Sequence, residues 1–153
     1  MRFKDKFYNR NLTYHKADFS FELPEYINRG RFAKAVIDPE KYLSDKINFN
    51  IDCVAAGDIT SLGGYAYIKG TLTETYVLIF TRTNIAVPIK ANTELRNDIA
   101  LETGNKTLNL CGFSANIDTC LFEKGSYTIG IMLINKITRK KYIALSNKKL
   151  NVL

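Results

Sequence analysis

The sequence has no tryptophan, only one histidine, three cysteines and three prolines. A single histidine excludes a zinc site built on two or three histidines of one chain. It also leaves only His15, in a polar N-terminal stretch, as a base for a serine or cysteine nucleophile. The chain contains neither the G-x-G-x-x-G nor the G-x-x-x-x-G-K-[ST] phosphate loop. We therefore expect a protein that is not an enzyme, with no cofactor, no metal and no catalytic residue.

The cysteines, Cys53, Cys111 and Cys120, show no C-x-x-C spacing, and a zinc site would need a fourth ligand. We expect three reduced thiols in or near the core, because free cysteine packs as a small apolar side chain. A disulfide between Cys111 and Cys120 is the alternative.

Long apolar runs are also missing from the sequence. No stretch reaches the roughly 18 apolar residues that would predict a membrane-spanning helix. The charged segment 1–6 is not followed by the apolar core of a signal peptide. If the chain is complete as given, this pattern predicts a cytoplasmic protein.

The residues that are present favour a β protein. Tyrosine and phenylalanine occur nine times each, and 46% of the 153 residues are hydrophobic, a composition that suits pleated, half-buried surfaces and one domain. The net charge is +7, with basic residues dense in 1–16 and 136–149. We interpret these as solvated ends and a charged hairpin tip. A nucleic-acid groove would interleave them with exposed aromatic residues, so nucleic-acid binding is the weakest alternative.

The chain divides into a polar lead-in, residues 1–45, and a β-sandwich domain, residues 46–153. The lead-in has a short apolar alternation at Phe19, Phe21 and Leu23. It also has a predicted short helix, because Asp38 can cap a helix whose first residue is Pro39. From Lys46 the alternation of apolar and polar residues predicts seven or eight strands with one or two short helical segments. Such strands at regular spacing predict an antiparallel sandwich.

Residues 93–101 interrupt this alternation and predict a short helix or helical loop capped by Thr93. Such a helix would place Glu94, Asp98 and Glu102 on one stripe, as a calcium site or an acid–base pair would require. Because Lys90 and Arg96 are interleaved with these carboxylates, we interpret the stripe as a solvated face.

Two parts of the chain resemble a known module when taken together. The first is Gly64–Gly70, G-Y-A-Y-I-K-G. The second is Cys111–Ile117, followed by Leu121 and by Lys124–Ile131. This pair resembles an immunoglobulin-like β-sandwich module of bacterial cell-surface and polysaccharide-assembly proteins, over residues 47–153. Such modules are mostly uncharacterised and often follow transmembrane or glycosyltransferase segments. The resemblance implies an immunoglobulin-like sandwich and, for a domain of a longer protein, the cell envelope.

The sequence leaves two functional hypotheses open. In the first, the chain is a non-catalytic binding or accessory module that recognises a carbohydrate or a cell-envelope partner. Exposed tyrosine rings would stack on sugars, and the candidate ligand contacts are Tyr65, Tyr67, Tyr76 and Tyr142. In the second, the chain is a structural or assembly domain that joins proteins through a strand edge or its basic end, without a small ligand.

Overall fold

A computed structural model describes residues 34–153 of the chain, and their fold confirms the all-β prediction. The described residues form nine strands in two antiparallel sheets. The strands are β1 Ala35–Val36, β2 Ile47–Ala55, β3 Ile59–Ile68, β4 Thr73–Arg82, β5 Ile85–Lys90, β6 Asn92–Glu94, β7 Gly112–Asp118, β8 Gly125–Asn135 and β9 Lys141–Val152.

The two sheets face each other across the main hydrophobic core. One sheet has five strands in the order β1-β5-β4-β8-β9, and the other has four in the order β2-β3-β7-β6. Apolar side chains alternate toward the space between them, as the sequence pattern predicted. The five-stranded sheet contributes Val77, Ile79 and Ile131, and the four-stranded sheet contributes Phe113 and Ile117.

The outer face of the five-stranded sheet carries a second apolar cluster, so both faces of β4 are buried. Tyr76 and Leu78 point to this outer side, while Val77 and Ile79 point to the main core. Segment 34–44 contributes Ala35, Ile37 and Tyr42 to the cluster. The uniformly apolar sequence of β4 is therefore explained by burial on two sides.

The lead-in reaches the sandwich through its last residues. Strand β1 pairs with β5, and Leu43 bridges to Ile143 of β9. The predicted helix start is confirmed, since the Asp38 carboxylate accepts a hydrogen bond from the Glu40 amide at 3.0 Å and caps the 3-10 helix Pro39–Lys41. The alternation at 19–23 lies outside the described residues.

The predicted helix at 93–101 is displaced in the structure. Thr93 and Glu94 belong to β6, which pairs with β7, and helix α1 spans Asn97–Thr103. Thr93 is therefore not its cap, and the predicted carboxylate stripe is wrong because Glu94 lies on a strand. With β6, the residues from Lys46 onward form eight strands, β2 to β9, which agrees with the seven or eight expected there.

Two further 3-10 helices, Lys106–Leu110 and Thr119–Leu121, stand at opposite ends of β7. The first of them and α1 cover part of the outer face of the four-stranded sheet. There Ile99, Leu108 and Cys111 form a third small cluster with Tyr65 and Tyr67. This cluster supports the candidate site.

Candidate functional site

The two ends of the sandwich differ in their loops. The name "cavity end" is used below for the segments 69–72, 106–110 and 136–140 together with Lys90. The name "far end" is used for the segments 56–58, 83–84 and 119–124. The strands run antiparallel between these ends. Hence β3 arrives at the cavity end where β4 and β7 begin, and β8 arrives there where β9 begins.

A cavity of about 380 Å³ opens at the cavity end. It lies where the chain crosses from β5 in one sheet to β6 in the other through the single residue Ala91. The Ala91 amide donates to the Thr75 carbonyl at 3.0 Å, which holds this crossing against β4. Most of the lining side chains can form hydrogen bonds: Tyr67, Thr73, Glu74, Thr75, Lys90, Asn92, Thr93, Thr107 and Lys136.

Tyr67 contributes an aromatic ring to this cavity. Its position in β3 places the side chain on the outer face of the four-stranded sheet, beside Tyr65, and the two ring centroids are 6.2 Å apart in a stacked arrangement. Partial burial raises the pKa of the Tyr67 hydroxyl, and Tyr65, Cys111 and Glu102 add to the effect. Among the described residues, the hydroxyl has no hydrogen-bond partner. It is therefore available to a ligand.

Arg96 fixes the neighbouring Tyr65. The guanidinium lies 5.3 Å from the Tyr65 ring centroid and binds Asp52 of β2 at 2.6 Å. It also forms a bidentate pair with Asp98 of α1, at 2.9 and 2.7 Å. The hydrogen bonds from Arg96 lower the pKa of Asp98 to about 2. Arg96 thus links strand β2, the Tyr65 ring and helix α1 through charged hydrogen bonds and a ring contact.

The other two tyrosines in the sequence hypothesis lie away from this cavity. Tyr76 is only 7% exposed in the cluster on the outer face of the five-stranded sheet, where its ring is out of reach of a ligand. Tyr142 packs against the main core, and the Lys140 ammonium lies 5.3 Å from its ring centroid. The structure brings together Tyr65 and Tyr67 only.

The far end has a larger and more open depression of about 680 Å³, lined by 56–58, 119–120, 122–124 and 151–153. Three hydroxyl groups at or next to this depression have internal partners. The buried hydroxyls of Thr60 and Thr119 share a hydrogen bond of 2.5 Å. Tyr127, at the start of β8, donates its hydroxyl proton to the Glu123 carbonyl. These groups already have partners, so they stabilise the far end and are not free for a ligand.

Residues 34–153 contain no group of three or more histidine, cysteine, aspartate or glutamate side chains placed to hold a metal ion. Cys111 and Cys120 are free thiols, which excludes the disulfide alternative. Burial raises the pKa of the Cys111 thiol, and this disfavours its reactive thiolate form. In the same part of the chain, no helix is long and apolar enough to cross a membrane.

Most of the cavity was missed by the sequence reasoning. Thr73, Thr75, Asn92 and Thr107 come from distant segments, and in the sequence they are ordinary polar residues of strand ends. Only Tyr67 carried a signal, because its position in the alternation of β3 turns it away from the core.

No family model, no curated protein and no solved structure matches this chain.

Proposed function

We propose that this chain is a non-catalytic binding module whose cavity at Tyr67 takes a carbohydrate. One observation carries the proposal. Tyr67 lines a cavity of about 380 Å³ together with mostly hydrogen-bonding side chains, and its hydroxyl has no protein partner among the described residues. That volume falls in the range of about 300–1,000 Å³ that is typical of small-ligand sites.

The chemistry of the lining supports a sugar over an apolar ligand. A tyrosine ring can pack on the C–H face of a pyranose while its hydroxyl bonds to the ring substituents. Threonine hydroxyls and the Asn92 amide both donate and accept, as alternating sugar hydroxyls require. The stack on Tyr65, whose ring the Arg96 guanidinium also contacts, limits the rotamers of Tyr67. A ring held in place loses less entropy on binding.

The strand order supports the immunoglobulin-like kinship that the sequence resemblance implies. Strands β2-β3-β7-β6 face β5-β4-β8-β9, which corresponds to the A-B-E-D and C′-C-F-G order of such sandwiches. Tyr127, at the start of β8, is comparable to the tyrosine corner of such sandwiches, because its hydroxyl donates a hydrogen bond to the backbone carbonyl four residues upstream. The core disulfide and tryptophan of antibody domains have no counterpart. A cell-envelope location, beside a membrane or glycosyltransferase segment of a longer bacterial protein, is part of this proposal.

Titration calorimetry against neutral and charged oligosaccharides, chosen from a glycan array, tests the proposal. We expect binding by the full chain and a loss of affinity of about tenfold in Tyr67→Phe, because one hydrogen bond to the sugar is removed. Tyr142→Phe is the matched control, since Tyr142 lies away from the cavity, and it should keep the full affinity. An empty array, or equal losses in the two variants, would refute the carbohydrate site.

A further inference from the structure

The cavity end combines a concentration of positive charge with exposed aliphatic side chains. Its loops carry only basic charges, with no aspartate or glutamate in segments 69–72, 106–110 and 136–140. The basic residues of the cavity end are Lys69, Lys90, Lys106, Lys136, Arg139 and Lys140. Among the acidic groups near this end, Glu74 pairs with Arg139 at 3.4 Å, and Glu102 raises the pKa of Tyr67.

Three aliphatic side chains lie among these charges and are open to solvent. Leu72 is 67% exposed, Leu110 57% and Ile137 82%. Leu72 and Leu110 both line the cavity. Ile137 follows Lys136, whose amide donates to the Leu72 carbonyl at 3.0 Å, so the two loops are held side by side. Leu72 and Leu110 therefore line one cavity, and Ile137 belongs to the loop held beside it.

We propose that the cavity end docks onto an anionic lipid surface, with Leu72, Leu110 and Ile137 entering the interface between headgroups. Charge complementarity selects this occupant, because lysine and arginine side chains attract anionic headgroups and aliphatic ones gain by leaving water. This surface goes beyond the proposed carbohydrate site and does not require it.

Two other polyanionic partners fit the same surface less well. A nucleic-acid strand would need a series of exposed aromatic rings for stacking, whereas Tyr67 is the one partly exposed ring in the described cavity lining. An acidic peptide with an apolar anchor would need an apolar groove, whereas the cavity is lined mainly by side chains with hydroxyl, amide and charged groups. Separate aliphatic side chains on neighbouring loops match the headgroup layer of a membrane.

Co-sedimentation of the full chain with vesicles tests the proposal. We expect binding to phosphatidylcholine vesicles that contain phosphatidylglycerol, and little binding to phosphatidylcholine alone. Raising the salt should weaken binding, since the Debye length falls from about 10 Å at 0.1 M to about 3 Å at 1 M. No sedimentation with the anionic vesicles at low salt would overturn the proposal.

Matched variants separate this surface from the general basic charge of the protein. The double variant Lys106→Glu/Lys136→Glu should bind the anionic vesicles at least about 25-fold more weakly than the parent. Each basic residue near an anionic surface contributes about fivefold to the binding constant. Neither lysine forms an ion pair among the described residues. Lys124→Glu with Lys148→Glu makes the same change in net charge away from the cavity end and should have a much smaller effect. Equal losses of vesicle binding in the two double lysine variants would overturn the proposal.

The aliphatic part of the surface is tested in the same way. Leu72→Asn with Ile137→Asn should lower partitioning by about tenfold, whereas Ile59→Asn at the far end should not. Membrane docking is refuted if the Leu72→Asn/Ile137→Asn variant binds vesicles as tightly as the parent. It is also refuted if the protein binds single-stranded DNA through Lys106 and Lys136 but does not bind vesicles. Failure of the carbohydrate titration would leave these vesicle results unchanged, so the two proposals fail separately.

Discussion

The two ends of this sandwich differ in how their hydroxyl groups are used. At the far end, Thr60 bonds to Thr119 and Tyr127 bonds to the Glu123 carbonyl, so these hydroxyl groups stabilise the fold. At the cavity end, the Tyr67 hydroxyl has no hydrogen-bond partner in the described chain, and Tyr67 lines a cavity. A hydroxyl that the fold leaves unused beside a cavity is available for binding, which is why we propose the function at the cavity end.

The largest difference between the ends should appear when a methyl group is added to a glycine at each. A Cβ on Gly112, at the start of β7, would lie 2.6 Å from Arg96 Cγ and 2.7 Å from the Glu94 carbonyl oxygen. We expect Gly112→Ala to lower the free energy of unfolding by about 2–3 kcal/mol, because β6 is a backbone neighbour that cannot move aside. Urea denaturation measures this loss of unfolding free energy.

Gly57→Ala is the matched far-end change. Its Cβ would meet only the Ile59 carbonyl oxygen at 3.5 Å, which is an ordinary contact, so stability should change by less than about 1 kcal/mol. Similar losses in the two variants would show that β6 does not lie as close to β7 as described.

An intermediate effect is expected from removing one hydroxyl group at each end. Tyr127→Phe should cost about 1 kcal/mol of unfolding free energy, because the Glu123 carbonyl loses its donor. Tyr67→Phe should leave stability unchanged to within about 0.5 kcal/mol, since this hydroxyl has no partner among residues 34–153. Thermal denaturation of both variants decides the comparison, and a loss in Tyr67→Phe as large as that in Tyr127→Phe would contradict it.

The smallest expected effect concerns the Arg96 contacts beside the tyrosine pair, and it depends on pH. The pKa of Asp98 falls to about 2 in the folded protein, chiefly through its hydrogen bonds from Arg96, whereas an unfolded aspartate titrates near about 3.9. A lowered folded pKa stabilises the protein above the unfolded value, and this contribution is lost as the pH falls from about 4 toward 2.

The Asp98→Asn variant should therefore lose less stability than the parent as the pH falls from about 4 toward 2. The difference should be small, because the carboxylate is on the surface. Melting temperatures between neutral pH and pH 2 would show this. Asp118→Asn is not a matched control, because Asp118 caps the next 3-10 helix, so Asp45→Asn serves instead. A profile that matches the parent throughout would exclude a contribution from the Arg96–Asp98 pair.

Local features of the sandwich could be predicted from the sequence to a useful degree. The alternation from Ile47 to Ile51 predicted β2, and Asp38 with Pro39 predicted a helix start that the structure confirms. A glycine in the middle of a strand, such as Gly130 in β8, also predicts that a bulky side chain of the facing sheet packs over it. Phe80 fills that role at 3.2 Å from the Cβ position, although it comes from the neighbouring strand and not from the facing sheet.

Long-range features could not be predicted in the same way. Thr93 and Glu94 begin a pattern with helical spacing, but pairing with β7 holds them in a strand, because contacts outside the local sequence outweigh local propensity. The cavity requires five separate segments to meet at one end of the molecule, and a single-sequence pattern carries no information about such meetings. Leu72 and Leu110 therefore gave no signal before the structure placed them around Tyr67.

The crossing at Ala91 also limits how the sandwich can move. Facing sheets lie about 10 Å apart, whereas the two Cα–Cα steps from Lys90 to Asn92 span at most about 7 Å, so the sheets must converge where β5 passes into β6. The other described crossings between the sheets, 37–46, 69–72 and 119–124, are longer and leave the sheets more room to separate. Breathing motions would then be smallest at Ala91. A ligand site beside this crossing changes its width least, so the cavity is held ready in its shape while the rest of the molecule fluctuates.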